Sequence, residues 1–145
     1  MDEKHYKTST AEETVALGKA FAETLPQGTF VALYGDLGVG KTAFVRGMAS
    51  VLAPTAYVQS PTYAMVHEYR GTNGTFCHMD MYRITSEEDL ESIGFYDYDG
   101  CTLAVEWCEK IPYALPSDYI AVTIAKTGRD TNERGITISH VSKGI

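Results

Sequence analysis

Residues 35–42 read Gly35-Asp36-Leu37-Gly38-Val39-Gly40-Lys41-Thr42, and they are the most informative segment of the sequence. It has the pattern Gly-x-x-x-x-Gly-Lys-Thr and is called the glycine loop below. Its glycines allow backbone N–H groups to converge on an anion at the positive end of the following helix. Lys41 is expected to reach the β- and γ-phosphates of a nucleotide, and the Thr42 hydroxyl to bind Mg²⁺. The residues expected to contact the nucleotide in this loop are Asp36, Leu37, Gly38, Val39, Gly40, Lys41 and Thr42.

The sequence around the glycine loop supplies the strand and the helix that such a loop requires. Residues 29–34 form a continuous apolar run, which is typical of a central parallel strand buried on both faces. A helical pattern runs from Lys41 to Leu52 and ends before Pro54. The four fixed positions alone would coincide by chance in about one chain per few hundred. Together with this context, they indicate a nucleotide-binding loop.

The remaining segments predict an α/β fold. The predicted elements are a helix from Thr10 to Leu25, a hairpin of strands 63–69 and 75–81, a short helix opened by Thr85, and strands 102–107, 119–125 and 135–140. The fold class is therefore a single-domain P-loop NTPase with a mixed, mostly parallel central sheet, flanked by helices and an antiparallel hairpin. One domain is expected over residues 1–145, with disorder confined to residues 1–8.

Charge and cysteine content exclude several classes of protein. The net charge is −7, which disfavours direct binding of nucleic acid, because that affinity depends largely on Lys and Arg. Cys77, Cys101 and Cys108 are odd in number and have no C-x-x-C spacing, as expected of reduced thiols in a cytoplasmic protein without zinc. No apolar run approaches 18 residues, so no membrane segment is predicted.

Two acidic residues at predicted strand ends are candidate catalytic groups. An ATPase of this class needs a carboxylate near Mg²⁺ and a group that orients the attacking water. Asp80 and Glu106 each end a strand pattern, and Asp80 is assigned to the metal and Glu106 to the water, although spacing alone leaves Glu106 open as a metal ligand too. Trp107 either packs as a half-buried aromatic or covers the phosphates. His67 and His78 are interpreted as ordinary strand residues.

A candidate switch segment precedes the hairpin. Pro61 disfavours a helical conformation for Ser60, so the stretch Ser60-Pro61-Thr62-Tyr63 is expected to be extended. The Thr62 hydroxyl on such a loop could reach a γ-phosphate or Mg²⁺. A plain turn would have the same composition, and this alternative stays open.

Four stretches together resemble the TsaE family, the bacterial ATPases for threonylcarbamoyladenosine modification of tRNA. They are the glycine loop, Ser60-Pro61-Thr62-Tyr63, His78-Met79-Asp80-Met81-Tyr82-Arg83 and Val105-Glu106-Trp107. The resemblance implies binding of ATP and ADP with Mg²⁺ and slow hydrolysis by the protein alone. It also implies action with TsaB and TsaD, which would hold the tRNA, so that this chain meets tRNA only indirectly.

The resemblance also implies roles for individual residues. Lys41 and Thr42 match the phosphate and Mg²⁺ positions, and Thr62 matches the switch-like loop. Asp80 matches the acid on the Mg²⁺ side, and Glu106 with Trp107 matches a second switch. The predicted catalytic residues are therefore Glu106, Lys41 and Thr62, the predicted metal ligands are Thr42, Asp80 and Glu106, and Thr62 and Trp107 join the nucleotide contacts.

Three other functions are considered. A small-molecule kinase usually has an arginine-rich lid, but this chain has five dispersed arginines: Arg46, Arg70, Arg83, Arg129 and Arg134. A GTPase would need an Asn-Lys-x-Asp segment to recognise guanine, and no such segment occurs. A non-catalytic nucleotide-binding adaptor would not need the candidate catalytic side chains, which are all present.

Overall fold

One seven-stranded sheet organises the chain. The computed structural model describes residues 3–36, 39–54, 66–71, 74–98, 100–127 and 132–142. The strands are β1 (Glu3–Thr8), β2 (Phe30–Tyr34), β3 (Val66–Gly71), β4 (Gly74–Asp80), β5 (Thr102–Glu106), β6 (Asp118–Lys126) and β7 (Arg134–Ser142). The α-helices are α1 (Ala11–Glu23), α2 (Lys41–Leu52) and α3 (Glu87–Ser92), and short 3₁₀ turns cover Phe95–Tyr98, Cys108–Lys110 and Pro112–Ala114.

The sheet is mixed and mostly parallel, as predicted. Its order is β1-β7-β6-β2-β5-β4-β3. The central strands β6, β2, β5 and β4 pair in parallel, whereas β7 is antiparallel to β1 and β6, and β3 is antiparallel to β4. Only β3 and β7 therefore oppose the common strand direction. The predicted hairpin is confirmed as β3–β4, and the two predicted closing strands, β6 and β7, also pair antiparallel.

The prediction of disorder over residues 1–8 is wrong for residues 3–8. Strand β1 pairs with β7 along its full length, from Glu3 opposite Ser139 to Thr8 opposite Arg134. The Thr8 hydroxyl also lies 2.8 Å from the Thr14 hydroxyl at the start of α1. Main-chain pairing stabilises this edge strand. Because most of its side chains are exposed, no apolar pattern marks it in the sequence.

Capping residues begin helices α1 and α3. Thr10 is the N-cap of α1, as predicted, and its hydroxyl accepts the Glu13 N–H at 3.1 Å. For α3, the predicted N-cap Thr85 is wrong by one residue, because Ser86 accepts the Asp89 N–H at 3.1 Å. The Asp89 carboxylate turns back to accept the N–H and hydroxyl of Thr85. Asp89 thus shifts the start of the helix by one position.

Apolar side chains cover both faces of the sheet. On one face Val31, Leu33 and Phe76 pack against α1 and α2. On the other, Met79 and Val105 pack with residues such as Leu90 of α3. Because β2, β4 and β5 run in parallel, their carboxyl ends meet at one edge of the sheet, which is where ligands bind in open α/β sheets. Among the described helices, none is long and apolar enough to cross a membrane.

Candidate functional site

The glycine loop joins the carboxyl end of β2 to the start of α2. Gly40 is the N-cap of α2 with φ 112° and ψ 16°, and Gly35 has φ 140°. A Cβ atom on Gly35 would lie 2.4 Å from the carbonyl oxygen of Ile124, so only glycine fits there. Leu37 and Gly38, two of the predicted nucleotide contacts, lie outside the described residues.

The first turn of α2 has the features of an anion site. Its N-cap, Gly40, has no side chain that could accept hydrogen bonds from the first-turn amides, so these N–H groups depend on other acceptors. Thr42 is half-buried in this turn. Lys41 is only 5% exposed, and its Nζ donates to the Gly35 carbonyl oxygen at 2.7 Å. This bond folds the Lys41 side chain back over the loop.

The two predicted acids lie side by side at the strand ends. Asp80 and Glu106 are Cα partners in the parallel pair β4–β5. Asp80 Oδ1 accepts the Tyr82 N–H at 2.9 Å, and Glu106 Oε1 lies 3.4 Å from Lys41 Nζ. The structure therefore brings Lys41, Asp80 and Glu106 together, although their sequence separations gave no guarantee of it.

Burial and neighbouring charges shift the pKa values of the two acids in opposite directions. Burial is the largest effect on Asp80 and raises its pKa. The hydrogen bond from the Tyr82 amide lowers this pKa, whereas the charge of Glu106 raises it further. Burial would also raise the pKa of Glu106, but the hydrogen bond and charge of His78 and the charge of Lys41 outweigh burial and lower it. Glu106 is consequently a carboxylate at neutral pH.

His78 belongs to this cluster, and the sequence analysis missed it. The side chain is fully buried, and its Nε2 lies 2.6 Å from Glu106 Oε2. A carboxylate can only accept a hydrogen bond, so His78 Nε2–H is the donor. The available signal was strand alternation, because a residue two places before Asp80 must share its face of β4. Interpreting His78 as an ordinary strand residue was therefore incomplete.

Trp107 adjoins the Lys41–Glu106 pair. Its ring centroid is 5.8 Å from Lys41 Nζ and 4.9 Å from the ring centroid of Tyr82. The Trp107 backbone has φ 60° and ψ 42°, a left-handed conformation that is uncommon for a bulky residue. The structure thus places Trp107 beside the loop lysine. Thr62, also predicted for this site, lies outside the described residues.

Arg134 is a second residue that the sequence analysis did not find as part of the site. It begins β7, and its Nε donates to the carbonyl oxygen of Val39 in the glycine loop at 2.7 Å. The two residues are 95 positions apart. No local pattern could have indicated this contact, because it arises from the position of β7 in the sheet.

The oxygen-bearing side chains at this edge suit Mg²⁺. Carboxylates and hydroxyls are the hard ligands that Mg²⁺ prefers, and here they are Thr42, Asp80 and Glu106. The two buried carboxylates are Cα partners, so a divalent cation would offset the burial and the charge of Glu106, which both raise the pKa of Asp80. In the part of the chain that the structure describes, no three His, Cys, Asp or Glu side chains form a metal cluster. Mg²⁺ would therefore need nucleotide oxygens or waters as well.

These features define a mixed α/β protein in which a Gly-x-x-x-x-Gly-Lys-Thr loop joins a central parallel strand to a helix. The family model described as "Threonylcarbamoyl adenosine biosynthesis protein TsaE" matches residues 8–136. The chain belongs to the TsaE family of threonylcarbamoyladenosine biosynthesis proteins.

Individual relatives agree with this assignment. The chain is 37% identical to tRNA threonylcarbamoyladenosine biosynthesis protein TsaE of Bacillus subtilis, over 97% of this chain and 88% of that protein. It is 41% identical to the Haemophilus influenzae protein of the same name, over 88% of this chain and 85% of the other. The crystal structure of Bacillus YdiB superposes with a TM-score of 0.78 at 32% identity, covering 97% of this chain and 87% of the other.

Proposed function

We propose that the protein binds ATP with Mg²⁺ and hydrolyses it slowly to ADP and phosphate, as the ATPase of tRNA threonylcarbamoyladenosine formation. The observation that supports this most directly is the position of Lys41. Its ammonium group lies at the start of α2, bound to the Gly35 carbonyl oxygen and 3.4 Å from the Glu106 carboxylate. A phosphate-binding cation thus lies beside a candidate catalytic base.

Each side chain has a chemical role in this proposal. Lys41 and the first-turn amides of α2 hold the phosphates, and Thr42 and Asp80 hold Mg²⁺. Mg²⁺, when bound, neutralises negative charge on the phosphate oxygens. Glu106 accepts a hydrogen bond from the attacking water and orients it, since its low pKa keeps it an acceptor at neutral pH. Trp107 covers the lysine and limits access of bulk water.

We infer the cellular role from family membership and charge. We place the protein in the cytoplasm with homologues of TsaB and TsaD, in threonylcarbamoyl transfer to the adenosine next to the anticodon. The net charge of −7 supports indirect contact with tRNA, because the partners would supply the basic surface. Co-purification of TsaB and TsaD homologues from the host, dependent on ATP, would support this role. A well-expressed protein that fails to complement a TsaE-deficient strain would contradict it.

Nucleotide binding is tested first, with Trp107 fluorescence as the signal. Trp107 is the only tryptophan and lies 5.8 Å from Lys41 Nζ, so titration with Mg-ATP should change its emission. We expect ATP to bind more tightly than GTP, because the guanine-recognition segment is missing. Lys41→Ala should weaken binding by about 1.5–3 kcal/mol, the value of a hydrogen bond to a charged group. Equal affinity in this variant would contradict the phosphate role.

Hydrolysis is tested next with Glu106→Ala and a matched control. The variant should bind Mg-ATP but release no phosphate, because the water-orienting carboxylate is gone. Glu109→Ala removes an exposed acid three residues further on and should hydrolyse ATP like the wild type. Normal hydrolysis by Glu106→Ala would refute the role of Glu106. Phosphate transfer to a small molecule would favour a kinase, and binding without any turnover would favour an adaptor.

A further inference from the structure

We propose that His78 is a positioning residue that fixes the Glu106 carboxylate for hydrolysis, an inference that rests on the function proposed for Glu106. The His78 Nε2–H donates to Glu106 Oε2 at 2.6 Å. The other oxygen, Oε1, is then left on the side of Lys41, 3.4 Å from its Nζ. One carboxylate oxygen is thus held by the sheet, and the other faces the glycine loop.

The strand register explains why His78 reaches Glu106. His78 is the Cα partner of Ala104 on β5, and Glu106 lies two residues further along the same face. A methyl side chain at Ala104 leaves space for the imidazole ring, and diagonal neighbours on one sheet face are within reach of long side chains. Both Ala104 and His78 are fully buried. The ring is therefore packed in one position.

The second ring nitrogen indicates that this histidine does not serve stability alone. No described residue forms a hydrogen bond with His78 Nδ1, which is buried. Burying an unpaired polar atom costs free energy, and an apolar side chain of similar size would avoid that cost at this position. Among the described residues, the hydrogen bond that His78 makes in return is the one to Glu106.

Holding Oε2 also keeps the carboxylate from turning fully toward Lys41. Without a donor from the sheet, the buried Oε2 would lose its partner, and the lysine ammonium would be the nearest cation for both oxygens. A closer pair would turn Oε1 away from the water. His78 therefore keeps this oxygen in position for hydrolysis.

The test compares two amides of different reach at position 78. The amide nitrogen introduced by His78→Gln can occupy the position of Nε2 and donate to Glu106, whereas the shorter side chain introduced by His78→Asn cannot reach it. Under single-turnover conditions we expect His78→Asn to lose about 10–100-fold in hydrolysis rate, the usual effect of removing a residue that orients a ligand. His78→Gln should retain most of the rate. In both variants, the Kd for Mg-ATP, measured by Trp107 fluorescence, should change by a smaller factor than the hydrolysis rate.

Two controls distinguish positioning from folding. His67→Asn changes the Cα partner of His78 on β3, which is partly exposed, and should hydrolyse ATP like the wild type. Equal losses in His78→Gln and His78→Asn, matched by equal losses of thermal stability, would assign His78 a purely structural role and overturn the proposal. Because Glu106→Ala has no carboxylate to position, adding His78→Asn to it should leave any residual hydrolysis unchanged, and a further loss would also overturn the proposal.

The same data separate this inference from the proposed function. If Glu106→Ala stops hydrolysis and His78→Asn does not slow it, positioning by His78 is wrong and the role of Glu106 stands. If both variants hydrolyse ATP normally, the role of Glu106 is wrong and the inference falls with it.

Discussion

Arg134 Nε donates a 2.7 Å hydrogen bond to the carbonyl oxygen of Val39, which ties strand β7 to the glycine loop. Val39 is buried, and its own N–H donates to the Asp36 carbonyl oxygen at 3.3 Å. The guanidinium therefore fixes one carbonyl of a loop whose amides must point the other way to bind an anion. Strand β7, which lies between β1 and β6, thus supports the conformation of the glycine loop.

Replacing Arg134 with alanine should weaken binding of Mg-ATP about 5–30-fold, or about 1–2 kcal/mol, because a hydrogen bond from a charged group to the loop is lost. Fluorescence of Trp107 during titration measures the Kd. Arg70→Ala, at an exposed position on edge strand β3, is the matched control and should leave the Kd unchanged. Equal Kd values for Arg134→Ala and the wild type would show that the loop keeps its shape without this contact.

Contacts of short sequence range were predictable, and those of long range were not. The glycine loop was found because its glycines, Lys41 and Thr42 are contiguous and flanked by an apolar strand and a helix. Asp80 and Glu106 were each predicted as an acid that ends a strand pattern, whereas their pairing on neighbouring parallel strands is visible only in the structure. The Arg134–Val39 bond depends instead on the position of β7 in the sheet, which no stretch of sequence specifies.

Two further interpretations of the sequence were wrong or incomplete, and each has a physical cause. Strand β1 was missed because backbone pairing with β7, rather than apolar burial, holds Glu3–Thr8. His78 was interpreted as a strand residue, which it is, but its partner Glu106 lies 28 positions away on β5. A buried histidine on the same strand face as a candidate acid is the feature that indicates a place in the site.

Gly47→Ala should destabilise the protein by about 1–3 kcal/mol, the usual cost of overpacking a core. A Cβ at position 47 would lie 2.0 Å from the Val15 carbonyl oxygen on α1, and a backbone atom cannot move aside as a side chain can. Helix propensity alone would favour alanine by about 1 kcal/mol, so the sign of the measured change decides between the two effects. Urea denaturation measures it. Arg46→Ala, on the exposed side of α2, should change stability by less than about 0.5 kcal/mol.

Trp107→Gly should be more stable than Trp107→Ala by about 1 kcal/mol, which reverses their usual order. The reason is the φ of 60° at this position, where a Cβ atom is penalised by about 1–2 kcal/mol. Both variants lose the contacts with Tyr82 and Lys41, so the difference between them isolates the backbone. Thermal unfolding of the pair measures it. If alanine proves the more stable, the backbone relaxes out of the left-handed region once the indole is removed.

The three thiols should differ in reactivity toward Ellman's reagent, with Cys101 reacting first. Burial, followed by the nearby Cys101 and Glu68, raises the pKa of Cys77 to about 12, and burial also raises the pKa of Cys108. Both thiols are buried, whereas Cys101 is partly exposed.

Because the thiolate is the reactive form, native protein near pH 8 should show one fast thiol, and denatured protein should show all three. Cys101→Ser should remove the fast phase and leave the slow ones. A fast phase that persists in this variant would mean that β4 or the turn after β5 opens readily, because Cys77 and Cys108 can react only when their packing is disrupted.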